Sequence, residues 1–497
     1  YLLGDYEYNE NNYVSGRSNG RGILLSTNAG VHFTDMTEDA SDDFYPVQAH
    51  PDHHALVTNP GNWRQFFDLG DGGIIRSNGN FVDDSGDCSA IKGITNAARL
   101  AFCQLVLSRI PERLEPINKG LRTLHFYQIG YNPANPDIIA GGTQDNGSWE
   151  TVGGDTWLNT NIADGGHNAY DALGGNPNFR LTAWQQGQLE VSFTPQNQTD
   201  VTWISDTLFV FYGSENVPFI GNAITDPVQP GWIWHGREHV FRSGNHGLNP
   251  AFPSATVIEH CNVWTGDGDL DGSGGYEPET DICDGFRPLG DPGPNGRLTA
   301  ASYGADRTGG SVAVVERGRN DTATLWVATS TGRIFISKNA DAANAASVEF
   351  IRLDSLADND PPRYPTSIFV DPNDPNHAWI SYSGFNAKTP GTPGHVFEVR
   401  YAPGGGGQPV ATFTNLDGHP INGYGDIPAS SVIVSPNGTL YVGNDFGVVQ
   451  KQKNSPVWHM TAAGLPNVTV ADLVYVPEHG VLYAATHGQG VWQLKVH

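Results

Sequence analysis

The sequence predicts an all-β propeller, one large ring of about eight four-stranded blades, within a range of about seven to ten. Three observations carry this. Gly (61) and Pro (33) are abundant while charged residues make up only 16% of the 497 residues, a composition of many short strands and tight turns. A degenerate unit recurs along the chain: an apolar strand, a Pro/Asn/Asp turn, a second strand alternating Val, Ile, Tyr or Trp, then a Gly-containing turn and a third strand. No single sheet of this kind hides both its faces, so neighbouring units must stack.

The clearest copy runs from Tyr127 to Trp149, with Asn132-Pro-Ala-Asn-Pro136 as its first turn and Gly142-Thr-Gln-Asp-Asn-Gly147 as its second. Ser367 to Gly384 turns at Asp371-Pro-Asn-Asp-Pro375, Ser431 to Gln450 at Ser435-Pro-Asn-Gly438, and Asp472 to Leu494 at Pro477-Glu-His-Gly480. Such tetrapeptides form turns because Pro fixes φ while Asn and Gly tolerate left-handed backbone. Ala55–Ser77, Ala172–Gln188, Ala223–Ser243 and Ala323–Ser337 are weaker copies. The expected organisation is a single propeller over 1–497, with two smaller tandem propellers as the alternative.

Two insertions break the repeat. Residues 83–120 hold a predicted helix at Ile94–Ile110, stopped by Pro111, with Ala98, Leu100, Phe102, Leu105 and Val106 on its apolar face. Residues 250–295 form an acidic insertion. Within it Asp267-Gly-Asp269-Leu-Asp271-Gly272-Ser273 opens like a calcium loop, alternate carboxylates offering hard oxygen ligands and Gly272 allowing a sharp turn. Its twelfth position is Pro278, so Glu277, Glu279 or Asp281 would close a shell made of Asp267, Asp269, Asp271 and Ser273; a metal-free acidic loop is the other reading. Cys88, Cys103, Cys261 and Cys283 allow three connectivities, of which Cys88–Cys103 and Cys261–Cys283 is expected. Disulfides imply an oxidising, secreted or cell-surface setting.

The formal charge of −26 opposes binding to nucleic acid or to an anionic membrane. No apolar run has the length of about 18 residues that a membrane helix needs. Tyr1 is not Met, consistent with an upstream segment such as a signal peptide.

At this point the residues carry a resemblance. Ser26-Thr-Asn-Ala-Gly30-Val-His-Phe33 resembles an Asp-box (BNR) turn, with Asn28 and Phe33 at its Asp and Trp positions, and Ser243-Gly-Asn245-His-Gly247 and Ser337-Lys-Asn339 resemble eroded copies. Asp52-His53-His54-Ala55 with Gly70-Asp71-Gly72-Gly73, Gln144 to Trp149, Tyr441 to Gly447 and Ala485 to Trp492 resemble the sortilin-like and xyloglucanase-like propellers. The resemblance covers almost the whole chain outside the insertions. That superfamily includes sialidases, xyloglucanases and sortilin-type receptors, so it implies the fold far more strongly than the activity. A sialidase carries three arginines on a carboxylate and a Tyr–Glu pair, and no such set stands out among the 27 Lys and Arg.

Three classes of function follow. The first is an exported or surface propeller that binds a glycan or another surface protein. The second is a glycoside hydrolase or lyase acting on a neutral polysaccharide through paired aspartates from Asp145, Asp164, Asp71 and Asp445, with Asp426, His53, His54, His167 and His487 nearby. Each of those aspartates also fits a plain turn role. The third is a structural subunit of an extracellular assembly. Trp149, Trp157, Trp184, Trp232, Trp234 and Trp264 form a candidate sugar-stacking set, most of it expected in the core.

Overall fold

The computed structural model describes the chain except residues 4–21, 42–46, 90–93, 95, 153, 199–200, 206–213, 262–279, 292–295, 405–406, 420, 462 and 497. It divides into two compact units, Tyr1–Thr123 and Leu124–His497.

The larger unit contains seven consecutive antiparallel sheets, here blades 1 to 7, with first strands at Phe126–Asn132, Gly165–Tyr170, Ala223–Thr225, Val312–Arg317, Pro365–Val370, Ala429–Val434 and Val470–Val476. Blades 1 to 6 have four strands and blade 7 has three among the described residues. Strands pair in simple sequence order, so each blade is one contiguous segment. The first strands neighbour one another around the ring, and the first strand of blade 7 lies against that of blade 1. This is a closed seven-bladed β-propeller, at the low end of the expected range.

Apolar residues alternate into the seams between blades. Trp326, Ile336, Ile368, Ile380, Phe397 and Val399 fill one layer, and Trp234, Val315, Val327 and Phe335 another. The burial that stabilises each sheet is therefore supplied by its neighbours. Two buried charged pairs enter these layers. Arg317 meets Asp226 at 3.0 Å with both side chains fully buried, and its guanidinium stacks on Trp234 at 4.9 Å. Arg180 grips Glu150 with two bonds of 2.7 and 2.8 Å, and Tyr170 donates to the same carboxylate at 2.8 Å.

The turns resembling Asp-boxes share one geometry. The Ser26 hydroxyl accepts the amides of Asn28 and Gly30, and Asn28 Oδ1 accepts that of His32. Ser243 accepts from Asn245 and Gly247, Ser337 accepts from Asn339, and Asn339 Oδ1 accepts from Glu349. Ser243 and Ser337 each end the third strand of their blade, so the same side-chain-to-backbone turn recurs at one place in the repeat.

The smaller unit holds a four-stranded sheet (His53–Asn59, Asn62–Gly70, Gly73–Ser77, Leu114–Pro116), a three-stranded and a two-stranded sheet. Its helix α1 spans Ala97–Leu107, shorter than the predicted Ile94–Ile110, because Asn96 caps it by accepting the Arg99 amide at 2.9 Å. The buried stripe is Cys103, Val106 and Leu107, packed on Cys88 and Ile110. Of the residues assigned to the apolar face by sequence, Val106 is buried and Leu100 packs beside it, while Ala98 and Phe102 are exposed; the disulfide at Cys103 holds the inward side. Both expected disulfides are present, Cys88–Cys103 and Cys261–Cys283.

Candidate functional site

Every blade of the larger unit turns the same way. The first strand starts at one end of the ring, here the entry face, and the turn between second and third strands returns to it. Six of the seven first strands carry an irregularity at this start: Phe126/Gln128, Gly165/Asn168, Val312/Val314, Pro365/Ser367, Ala429/Ser431 and Val470/Asp472. A bulge here re-aims the following side chain. Several of these side chains then cross to the next blade. Gln128 Oε1 accepts the Asn168 amide at 2.8 Å, Ser431 Oγ accepts the Leu473 amide at 3.2 Å, and Asp472 Oδ2 accepts the Ile129 amide at 3.3 Å, which joins blade 7 to blade 1. In blade 4 an apolar Val314 occupies the position, and Asn222 of blade 3 accepts the Val315 amide at 3.0 Å instead.

A cavity of about 920 Å³ is lined by Gln128, His167, Glu316, Ser431 and Asp472 of the first strands together with Asn222, and it extends past Trp379, Glu398 and Lys451 of blades 5 and 6. Burial pushes the Glu316 carboxyl up to about 7, with the Asp472 charge adding to it, and pushes Asp472 up to about 6 against the bonds it accepts from Ile129, Leu473 and Ser431. Burial holds His167 down at about 4, neutral at pH 7. At pH 7 Asp472 is therefore mostly ionised and Glu316 about half so, while His167 is neutral. Glu316 and Asp472 escaped the sequence reading, although a polar residue in third place on an apolar strand (Gln128, Ser367, Ser431, Asp472) is a visible signal.

The four candidate catalytic aspartates come from separate turns and loops. Asp145 stands at φ 60° in the second turn of blade 1, its amide donating to Asp164 Oδ1 at 3.1 Å, while Gly147 donates to the Ala163 carbonyl at 2.7 Å. A side chain at Gly147 would strike the Asn161 carbonyl at 1.9 Å, so the close approach requires glycine. Asp145 and Asp164 lie near Tyr127, whose hydroxyl is pushed up to about 12 by burial and then by the two carboxylates. Asp445 sits in the corresponding turn of blade 6, raised by burial. Asp71 belongs to the smaller unit, where His54 contacts it at 2.5 Å. His53 is buried against Asp68 at 3.0 Å, and His487 packs edge-on against His125 with ring centroids 3.7 Å apart. Burial and the His125 charge hold His487 down at about 4. Asp426 accepts the Asn386 amide at 2.8 Å.

Asp267, Asp269, Asp271, Ser273, Glu277 and Glu279 lie outside the described residues, as does Trp264. Of the other tryptophans named above, Trp234 is buried and Trp149, Trp157, Trp184 and Trp232 are half-buried. Among the described residues, the exposed large apolar side chains of the ring are Ile162, Leu173, Phe219, Val228, Phe252 and Val410, spread over its other parts, and six more. Leu356, Tyr364, Phe385, Ile421, Phe446 and Met460 all lie in loops or strand ends on the entry face of blades 4 to 6. Exposed carboxylates of Asp306, Asp358, Asp426 and Asp445 share that face.

Fold and cavity together define a β-propeller. No family model matches the chain, and no curated protein matches it. Among solved structures, the β-propeller domain of Cps50 (Swd1) from Myceliophteria thermophila aligns with 76% of this chain and 99% of that one, at 11% identity and a TM-score of 0.46. The extracellular domain of a hybrid two-component system, BT4673, from B. thetaiotaomicron aligns with 75% of this chain at 13% identity and a TM-score of 0.39; the match spans 38% of that domain's length.

Proposed function

We propose that this is an exported propeller that works by binding, taking a glycan or another surface protein on the entry face of blades 4 to 6. The observation that supports this reading is the grouping there of Tyr364, Phe385, Ile421, Phe446 and Met460, exposed by 41 to 88%, beside acidic residues. Scattered apolar side chains need no explanation, but a patch rimmed by polar groups is typical of interaction sites. Aromatic faces suit sugar rings or the side chains of a protein partner, and the carboxylates suit hydroxyl donors or cations. The two disulfides accord with an oxidising compartment.

The test is binding to a glycan panel and to extracellular proteins, with Phe385→Ala and Phe446→Ala. Loss of about 2 kcal/mol for either, roughly thirtyfold, is expected if it is a hot spot. Unchanged affinity in the double variant removes this face as the site.

A hydrolase reading rests on Asp145 and Asp164 lying together beside Tyr127. It requires neutral-polysaccharide hydrolysis that Asp164→Ala abolishes; activity that survives this change removes the pair. The acidic loop at 267–277 is proposed to hold calcium, which would order the insertion. A melting temperature unchanged by chelator would exclude a stabilising ion there.

A further inference from the structure

We propose a divalent metal site in the smaller unit, formed by His50, Asp52 and Asp71, of a kind that zinc fills better than calcium. One ligand atom from each of the three lies within 4.8 Å of the others. A zinc ion holds nitrogen and oxygen donors at about 2.0–2.2 Å, which separates them by about 3–4 Å, so small side-chain rotations close the shell.

The backbone brings these donors together before any ion arrives. Asp71 begins the tight turn between Asn62–Gly70 and Gly73–Ser77, and its amide donates to the Asp52 carbonyl at 3.1 Å. A side chain at Gly70 would lie 2.3 Å from that carbonyl, and one at Gly72 would lie 2.7 Å from the His50 Cβ, so the two turns meet in direct contact. Asn118 clamps the Asp71 turn from outside. Its Nδ2 donates to the Gly72 carbonyl at 2.8 Å, and its Oδ1 accepts the Ile74 amide at 2.7 Å. At the other turn, His50 Nδ1 accepts the Asp52 amide at 3.2 Å and lies 3.6 Å from Asp52 Oδ2, and a metal bound through this nitrogen would replace that hydrogen bond.

A second layer is also present. His54 Nε2 lies 2.5 Å from Asp71 Oδ1. A histidine on one carboxylate oxygen fixes the orientation of the group, as outer partners of metal-ligating carboxylates do. Strand alternation separates this histidine from its neighbour: His53 points into the core towards Asp68 while His54 points out towards Asp71. One imidazole and two carboxylates form a mixed nitrogen–oxygen set. Calcium prefers six to eight oxygens, whereas zinc accepts three protein ligands and keeps an open position.

The experiment is zinc titration of chelator-stripped protein by calorimetry, in the wild type and in His50→Gln, Asp71→Asn and His54→Gln, repeated in excess calcium. One zinc per chain is expected, insensitive to calcium. His54→Gln should weaken it by about 10- to 100-fold as an outer partner, and His50→Gln or Asp71→Asn by at least as much. Circular dichroism in chelator reports whether each variant folds; if the first two do not, Asp52→Asn on the exposed rim replaces them. Wild-type protein that takes up no zinc, or variants that bind as the wild type does, would overturn the site.

Discussion

Glu316 shows how the surroundings of one residue set its chemistry. Its carboxyl, pushed up to about 7, binds its proton more tightly in the fold than in the unfolded chain. Between about pH 4.5 and 7 the native state therefore holds more protons at this position, and stability falls as pH rises through that window. Glu316→Gln keeps the shape and removes the titration. Chemical denaturation at pH 5 and pH 7.5 should find the variant close to wild type at the lower value and more stable at the higher by something on the order of 1 kcal/mol or more. A constant difference between the two pH values would show that Glu316 titrates normally. Asp145 shows the reverse case. The sequence marked it as a turn residue and as a candidate acid, and its left-handed backbone and bond to Asp164 account for the first role. The environment that sets Glu316 apart comes from other blades, so nothing near it in the chain announces it.

At the scale of the strand and turn, the local signals were the legible ones. The turns at Pro372-Asn-Asp-Pro375, Pro436-Asn-Gly438 and Pro477 to Gly480 sit where their composition placed them, between first and second strands. These signals act over four residues, through fixed φ and side-chain-to-backbone bonds, and need no distant partner. The face of α1 was read correctly at Leu100 and Val106 but not at Ala98 and Phe102, because the disulfide at Cys103, a tertiary restraint, helps decide which side faces inward. The Glu150–Arg180–Tyr170 cluster was not visible at all, since it joins the third strand of blade 1 to the first two strands of blade 2. Removing one partner leaves the other buried and unpaired. Glu150→Ala should therefore lose about 3–5 kcal/mol in denaturant unfolding. A loss below about 1 kcal/mol, as for an exposed pair, would show that the site relaxes or admits water.

For the whole molecule, the sequence revealed the repeat but not where the ring begins. The strands at 53–77 are built like a blade, yet they belong to the unit ending at Thr123, and the seven sheets from Phe126 onward close on themselves. Closure depends on packing between the ends of a segment, and a periodic pattern reads the same on either side of that boundary. The closing bonds are few and specific. Asp472 takes the Ile129 amide across the last seam and the Ser431 hydroxyl, at 3.1 Å, across the one before it. Asp472→Ala should cost about 1–3 kcal/mol, because it leaves the Ile129 amide without this acceptor. Equal melting temperatures for variant and wild type would make the seam purely apolar.

The same seam governs the order of events when the chain folds. Ile129 and Asp472 are 343 positions apart, and each blade between them is a contiguous segment. On a ribosome adding about 5–20 residues per second, the early blades emerge well before the partner of blade 1 exists. Until then the outer face of blade 1 is an open apolar surface, and pairing with the first blade of another chain competes with waiting. Ring closure is thus a late step with a large loop entropy to overcome. Yield should depend on chain concentration during synthesis far more than the stability of the finished ring would suggest.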